Sequence, residues 1–225
     1  SHCIIIKSFL SLAFLAFTFA AEASHFRYGT VKYQILSETG VGPAKQTVVQ
    51  FTFNQAWRGD SWGAFPSVGT VYLGANVYDL FWDFGDGSPS ENWNMTVTSV
   101  NAGENWFAGV GTLTHTYTGN VDVLAHWDNC CRIYDLVNNS SGSMRSECNV
   151  TLSQTNNASP QSSLPPIVNV PDGVALHTFN LSATDPNGDA LTYAVSTSAQ
   201  SALSTVSPVF YTSVSATGVV SLNTT

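Results

Sequence analysis

Apolar and polar residues alternate with a period of two through almost every segment of this chain, and no other feature constrains its fold as strongly. A strand points successive side chains to opposite faces, so this period buries one face and wets the other, whereas a helix needs a spacing near 3.6. Candidate strands are Val31 to Leu36, Thr47 to Asn54 with Val49, Phe51 and Phe53 on one face, and Val77 to Phe84 with Leu80, Trp82 and Phe84 together. Gly111 to Tyr117, Val121 to Trp127 and Asn149 to Leu152 follow. Turns are supplied by Gly40-Val41-Gly42-Pro43, Gly85-Asp86-Gly87 and Asn138 to Gly142. Many short strands punctuated by Gly and Asn predict an all-β fold of tandem immunoglobulin-like β-sandwiches.

The 225 residues suit one large or two ordinary domains. Residues 1–23 read as a signal peptide: Lys7 precedes the apolar run Phe9 to Ala20, and Ala21-Glu22-Ala23 has the small-x-small pattern that signal peptidase accepts. The rival is an uncleaved anchor, but Lys7 shortens the apolar stretch below the roughly 20 residues that span a bilayer. Residues 24–153 are expected to form the first sandwich. The polar, proline-bearing stretch 154–166 resists both ladder pairing and burial and is expected to be a linker. Ile167 to Val170, Leu176 to Ala183, Leu191 to Val195, Val209 to Val214 and Gly218 to Leu222 then open a second strand series over 167–225. Such sandwiches run to about 100 residues, so its last strands are expected beyond Thr225, as is any membrane anchor.

Only 10% of residues are charged, and the net charge is -8. A nucleic-acid face needs clustered Lys and Arg, so that partner class is set aside. A surface of Ser, Thr, Asn and Gly suits the outside of a cell, and the partners expected there are other extracellular proteins or glycans. In that compartment Cys130, Cys131 and Cys148 are an odd set. Adjacent cysteines bond each other only with strain, so Cys148 is expected to pair with Cys130 or Cys131, the leftover thiol being either buried or a cross-link to another chain. A zinc site is not expected, since no CxxC pair or close His accompanies them.

The string Phe81-Trp82-Asp83-Phe84-Gly85-Asp86-Gly87-Ser88, followed by Thr114-His115-Thr116-Tyr117 and the strand Val121 to Trp127, resembles the polycystic kidney disease (PKD) domain family over roughly Thr47 to Leu152. This sequence departs from that pattern in the insert Glu91 to Gly111 and in the tail that carries the three cysteines. The stretch from Phe179 through Ala183-Thr184-Asp185-Pro186-Asn187-Gly188-Asp189 to Tyr193, with Thr217-Gly218-Val219-Val220-Ser221 after it, resembles cadherin-like repeats of large surface proteins. Both resemblances imply modules that support, space or bind, either in adhesive surface proteins or as carbohydrate-binding accessory domains beside secreted hydrolases. They also imply that His115 is a structural member of its motif.

Candidate sites are few. Asp185, Asn187 and Asp189 have the spacing that can offer alternate oxygens to calcium, or simply that of a hydrogen-bonded turn; Asp83 and Asp86 raise the same pair of readings. No other cofactor is indicated. Trp57, Trp62, Trp93 and Trp106 lie among Gly and Asn, where rings either stack on sugar or plug the ends of a core. Asn94, Asn138, Asn139, Asn149, Asn157, Asn180 and Asn223 head glycosylation sequons. On Thr178 to Ala183 the alternation puts Asn180 opposite Phe179, Leu181 and Ala183, on the face where a glycan must be. HExxH, a phosphate loop and a partnered Cys nucleophile are all missing, so no enzyme is expected.

Overall fold

The structure, a computed structural model, describes residues 25–133, 142–165, 167–202 and 212–224. The expected signal peptide and the sequons at Asn138 and Asn139 lie outside them. Among the described residues the chain is all-β with antiparallel sheets, apart from one short helix and two 3-10 turns. The strands are β1 (Phe26–Thr39), β2 (Gln46–Arg58), β3 (Val71–Tyr72), β4 (Phe81–Trp82), β5 (Glu91–Asn92), β6 (Met95–Asn101), β7 (Trp106–Thr118), β8 (Val123–Asn129) and β9 (Met144–Val150). After them come β10 (Gln161–Ser162), β11 (His177–Asn180), β12 (Ala183–Thr184), the helix α1 (Ser198–Ser201), β13 (Thr212–Val214) and β14 (Val219–Leu222). No helix among them is long and apolar enough to cross a membrane.

A five-stranded sheet in the order β1-β2-β7-β6-β3 forms one layer. The pairs β4-β5 and β8-β9 form the other, joined where Asp83 and His126 exchange backbone hydrogen bonds of 2.9 Å. The alternation works as expected on β2, where Val49, Phe51 and Phe53 are buried. Their cross-strand partners on β7 are His115, Leu113 and Gly111. Facing them, Leu80, Trp82, Phe84, Ala125, Trp127 and Val150 complete a continuous core. Phe53 packs on Trp82 and Trp93 with ring centroids 5.0 and 4.7 Å apart. A side chain at Gly111 would collide with the Trp93 ring, which explains a glycine in the middle of a central strand.

Several expected strands are revised. Val77 to Phe84 is not one strand: Leu80 N donates to Val77 O, a turn that leaves only Phe81–Trp82 in a ladder. The insert Glu91 to Gly111, where the sequence departs from the family pattern it resembles, forms β5, β6 and the start of β7, so it builds much of the main sheet. Ile167 to Val170 and Leu191 to Val195 form no strand, and of Val209 to Val214 only β13 lies within the described residues.

The stretch expected as a linker is tied down through 157–162. Ala158 bridges Gln34, Ser159 N donates to Tyr33 O, and the Tyr33 amide donates to Ser159 Oγ at 2.8 Å, so this segment covers the free edge of β1. Beyond it β10 pairs with β12, and β11-β14-β13 form a small sheet whose buried hydrophobic residue is Val220. Arg132 connects the halves, donating from Nε to Ser143 O and from a terminal nitrogen to Ser201 O on α1.

Candidate functional site

Of the residues that stood out in the sequence, Asp83, Phe84, Asp86, His115 and Tyr117 gather at the hairpin after β4. Asp83 Oδ1 accepts the Gly85 amide at 2.7 Å, and Asp86 Oδ1 accepts both the Ser88 amide and its hydroxyl. His115, on β7, reaches across and donates from Nε2 to Asp86 Oδ2 at 2.8 Å. Its ring stacks on Phe84 with centroids 3.9 Å apart, and Tyr117 stands edge-on to it while donating its hydroxyl to Phe84 O at 2.8 Å. Trp82, Phe84, His115 and Tyr117 therefore bind one hairpin of the second layer to the central strand of the first.

Asp86 is held low. Burial opposes its charge, but the Ser88 hydroxyl, the His115 ring and the Ser88 amide outweigh that and bring it to about 2. Burial raises the Tyr117 phenol above its ordinary range, and the Asp86 charge adds to the effect. A carboxylate and an imidazole could serve a nucleophile, yet the nearby Ser88 hydroxyl donates to Asp86 and not to His115, so the nucleophile–base–carboxylate order is not assembled. The arrangement is a structural clamp. Because the folded Asp86 lies below its ordinary 3.8, its contribution is present above that value and lost as pH falls through about 2. Wild type is expected to lose about 1–2 kcal/mol more stability between about pH 4 and pH 2 than Asp86→Asn, the figure being discounted for partial exposure. Urea denaturation across that range checks it, and parallel curves for the two proteins would show that the clamp carries no net charge energy.

The cysteines depart from expectation. Cys130 is bonded to its neighbour Cys131, and Cys148 is a buried thiol. The β8-β9 register explains why Cys148 stays apart: it stands opposite Ala125, five residues from Cys130, or about 16 Å along the ladder. A disulfide requires Cα atoms within about 7 Å. Burial pushes the Cys148 thiol up to about 12, with Ser159 pulling slightly the other way, so it stays protonated and inert.

Trp57 and Trp93 are core residues, each 1% exposed, and cannot stack on sugar. Trp62 is half-buried against Trp57, Tyr72 and Phe107. Trp106 is half-buried and donates to Glu104. The four rings form no shared platform, because Trp57 and Trp93 are buried in the core. Asp185 Oδ1 accepts the amides of Asn187 and Asp189, as in a hydrogen-bonded turn. The Asn187 side chain points to the segment beside β1, accepting from Ala158 N and donating to Asn156 O. Among the described residues, no three His, Cys, Asp or Glu side chains converge as metal ligands. Of the described sequons, Asn94, Asn149 and Asn180 are exposed, while Asn157 and Asn223 are half-buried and Asn157 donates to the Tyr33 hydroxyl.

Sequence reasoning missed Asp79, which takes hydrogen bonds from Asn129 Nδ2 at 2.7 Å and from Trp62 Nε1. Burial raises this carboxyl above its ordinary value, with Trp62 partly offsetting. In the alternating run Asp79 falls on the face opposite Leu80, Trp82 and Phe84, where a carboxylate reads as solvent-exposed, so the sequence carried no signal for it.

Residues 27–153 match the family model described as the N-terminal domain of integrin beta-like proteins A–E. Integrin beta-like protein A of Dictyostelium discoideum is 32% identical over 83% of this chain, and proteins C and E of the same organism are 31% and 33% identical over 66% and 70%. The chain spans only 10% of the first of these and 8% of the others. These matches do not confirm the polycystic kidney disease or cadherin-like resemblance of the two motifs. No solved structure matches the chain.

Proposed function

This chain belongs to the family of integrin beta-like protein A–E N-terminal domains, and from that premise we propose that it is a non-catalytic extracellular module that mediates adhesion for a larger secreted or cell-surface protein. The observation that carries the reading is the family match across 27–153, which indicates an adhesion-type protein and no catalytic family. The site agrees with it: Asp83, Asp86 and His115 hold the hairpin, and the acidic, weakly charged surface suits extracellular protein or glycan partners. The cleaved signal peptide, the glycans at exposed sequons and the tandem sandwich arrangement belong to the same proposal. Calcium at Asp185, Asn187 and Asp189 would require Asn187 to leave its bonds with Ala158 and Asn156, so the turn is the favoured reading there. The hydrolase-accessory alternative loses its main support with Trp57 and Trp93 in the core.

The test is attachment. Beads coated with the chain from Ser24 onward are expected to bind cells well above beads coated with an unrelated sandwich domain, and soluble chain should compete. Equal attachment to both kinds of bead would overturn the adhesive reading.

A further inference from the structure

We propose that the open cleft between the 3-10 turn at Gly74–Asn76 and the β4-β5 hairpin is a binding site for a neutral glycan, with Tyr78 and Phe81 as the stacking surface and Asn76, Ser90 and Asn92 as the hydroxyl partners. This deepens the adhesive reading and rests on it, by naming the class of ligand.

Tyr78 is 83% exposed, the most exposed aromatic ring among the large hydrophobic side chains on the surface, whereas most of the tryptophans fill the core. Phe81 is half-exposed beside it, the ring centroids 6.2 Å apart and inclined at 50°. Two inclined rings present apolar faces to the C–H side of a pyranose, while amides and a hydroxyl can both donate to and accept from its hydroxyl groups. Asn76, Ser90 and Asn92 are exposed around the rings. The cleft is about 530 Å³, within the range of about 300–1,000 Å³ usual for small-molecule sites. None of its lining residues is charged, which favours a neutral sugar over an acidic one or a phosphorylated ligand.

The cleft is also held rigid by the core beneath it. Asp79, between the rings, is drawn inward by Asn129 and Trp62, and the next residue, Leu80, is fully buried and accepts the Trp93 amide. With its neighbours anchored on the inner side, Tyr78 is left on the outer one. Phe81 and Asn92 are cross-strand partners, and the Gly74 amide donates to Asn94 Oδ1, so both walls are hydrogen-bonded to the same hairpin. Little ordering remains to be done on binding.

The experiment uses the full chain carrying Thr96→Ala, which removes the Asn94 sequon beside the cleft and keeps Asn94 itself. Short neutral cello-, chito-, manno- and galacto-oligosaccharides are titrated while intrinsic fluorescence and NMR shifts are followed. At least one series is expected to bind, to weaken by about tenfold or more in Tyr78→Ala and in Asn92→Ala, and to be kept in Tyr78→Phe. Near-UV circular dichroism confirms that the variants are folded. Binding by none of the series, or binding unchanged in Tyr78→Ala, would overturn the site. If bead attachment to cells persists while every sugar fails, only the glycan assignment falls. If attachment also fails, the adhesive reading falls with it.

Discussion

Phe53→Ala is expected to lower the unfolding free energy by about 3–5 kcal/mol, the usual cost of deleting a large ring from a closed core. Phe53 is 2% exposed and lies where the two layers meet, touching Phe51 within its own strand and Trp82 and Trp93 across the interface. The surroundings have little means of closing the gap. Trp93 already rests over Gly111, the cross-strand partner of Phe53, and Trp82 is fixed between Phe51 and Phe53. The lost transfer energy and the cavity therefore add. Urea unfolding of wild type and variant, with the slope unchanged, measures the difference directly. A loss below about 1.5 kcal/mol would mean that the layers are not packed on this ring.

How far the fold could be read in advance depended on how regular each segment is. Val49, Phe51 and Phe53 alternate without interruption, and their strand appeared as expected with the expected face inward. Leu80, Trp82 and Phe84 alternate equally well, yet only two residues there pair as strand, because a turn at Val77 to Leu80 ends the ladder while the same side chains remain buried. Burial was legible; the extent of hydrogen bonding was not. Gly111 to Tyr117 reads as a strand, but the start of β7 from Trp106 does not: Gly109 breaks the alternation there because Met95 crosses the strand too closely for a Cβ, as Trp93 does at Gly111. The tryptophans failed as a sugar platform for a related reason, since Gly and Asn neighbours report tight packing or turns as readily as exposure. Tyr78 was assigned to a strand face, and only the inward pull on Asp79 and Leu80 shows why it is on the surface. The cysteine pairing depended on a register between β8 and β9 that no local pattern specifies.

The hairpin motif makes the sharpest single-residue prediction. Gly85 has φ of 77°, in the left-handed region that penalises any side chain, and a Cβ there would overlap the Leu124 carbonyl and the Ala125 amide. Those are backbone atoms of β8, held in its ladder with β9, so they cannot swing aside as a side chain would. Gly87, two residues on, has φ of 84° but open space around its Cα. Gly87→Ala should therefore cost only the conformational penalty, about 1 kcal/mol, whereas Gly85→Ala adds the collision and should cost about 3 kcal/mol or more. The larger loss also displaces the hairpin from β8, so the upfield-shifted NMR signals expected of His115 stacked on Phe84 should change in Gly85→Ala and persist in Gly87→Ala. Equal destabilisation by the two substitutions would mean that the hairpin does not dock on β8, and the clamp from Asp86 to His115 would then have no rigid base to hold.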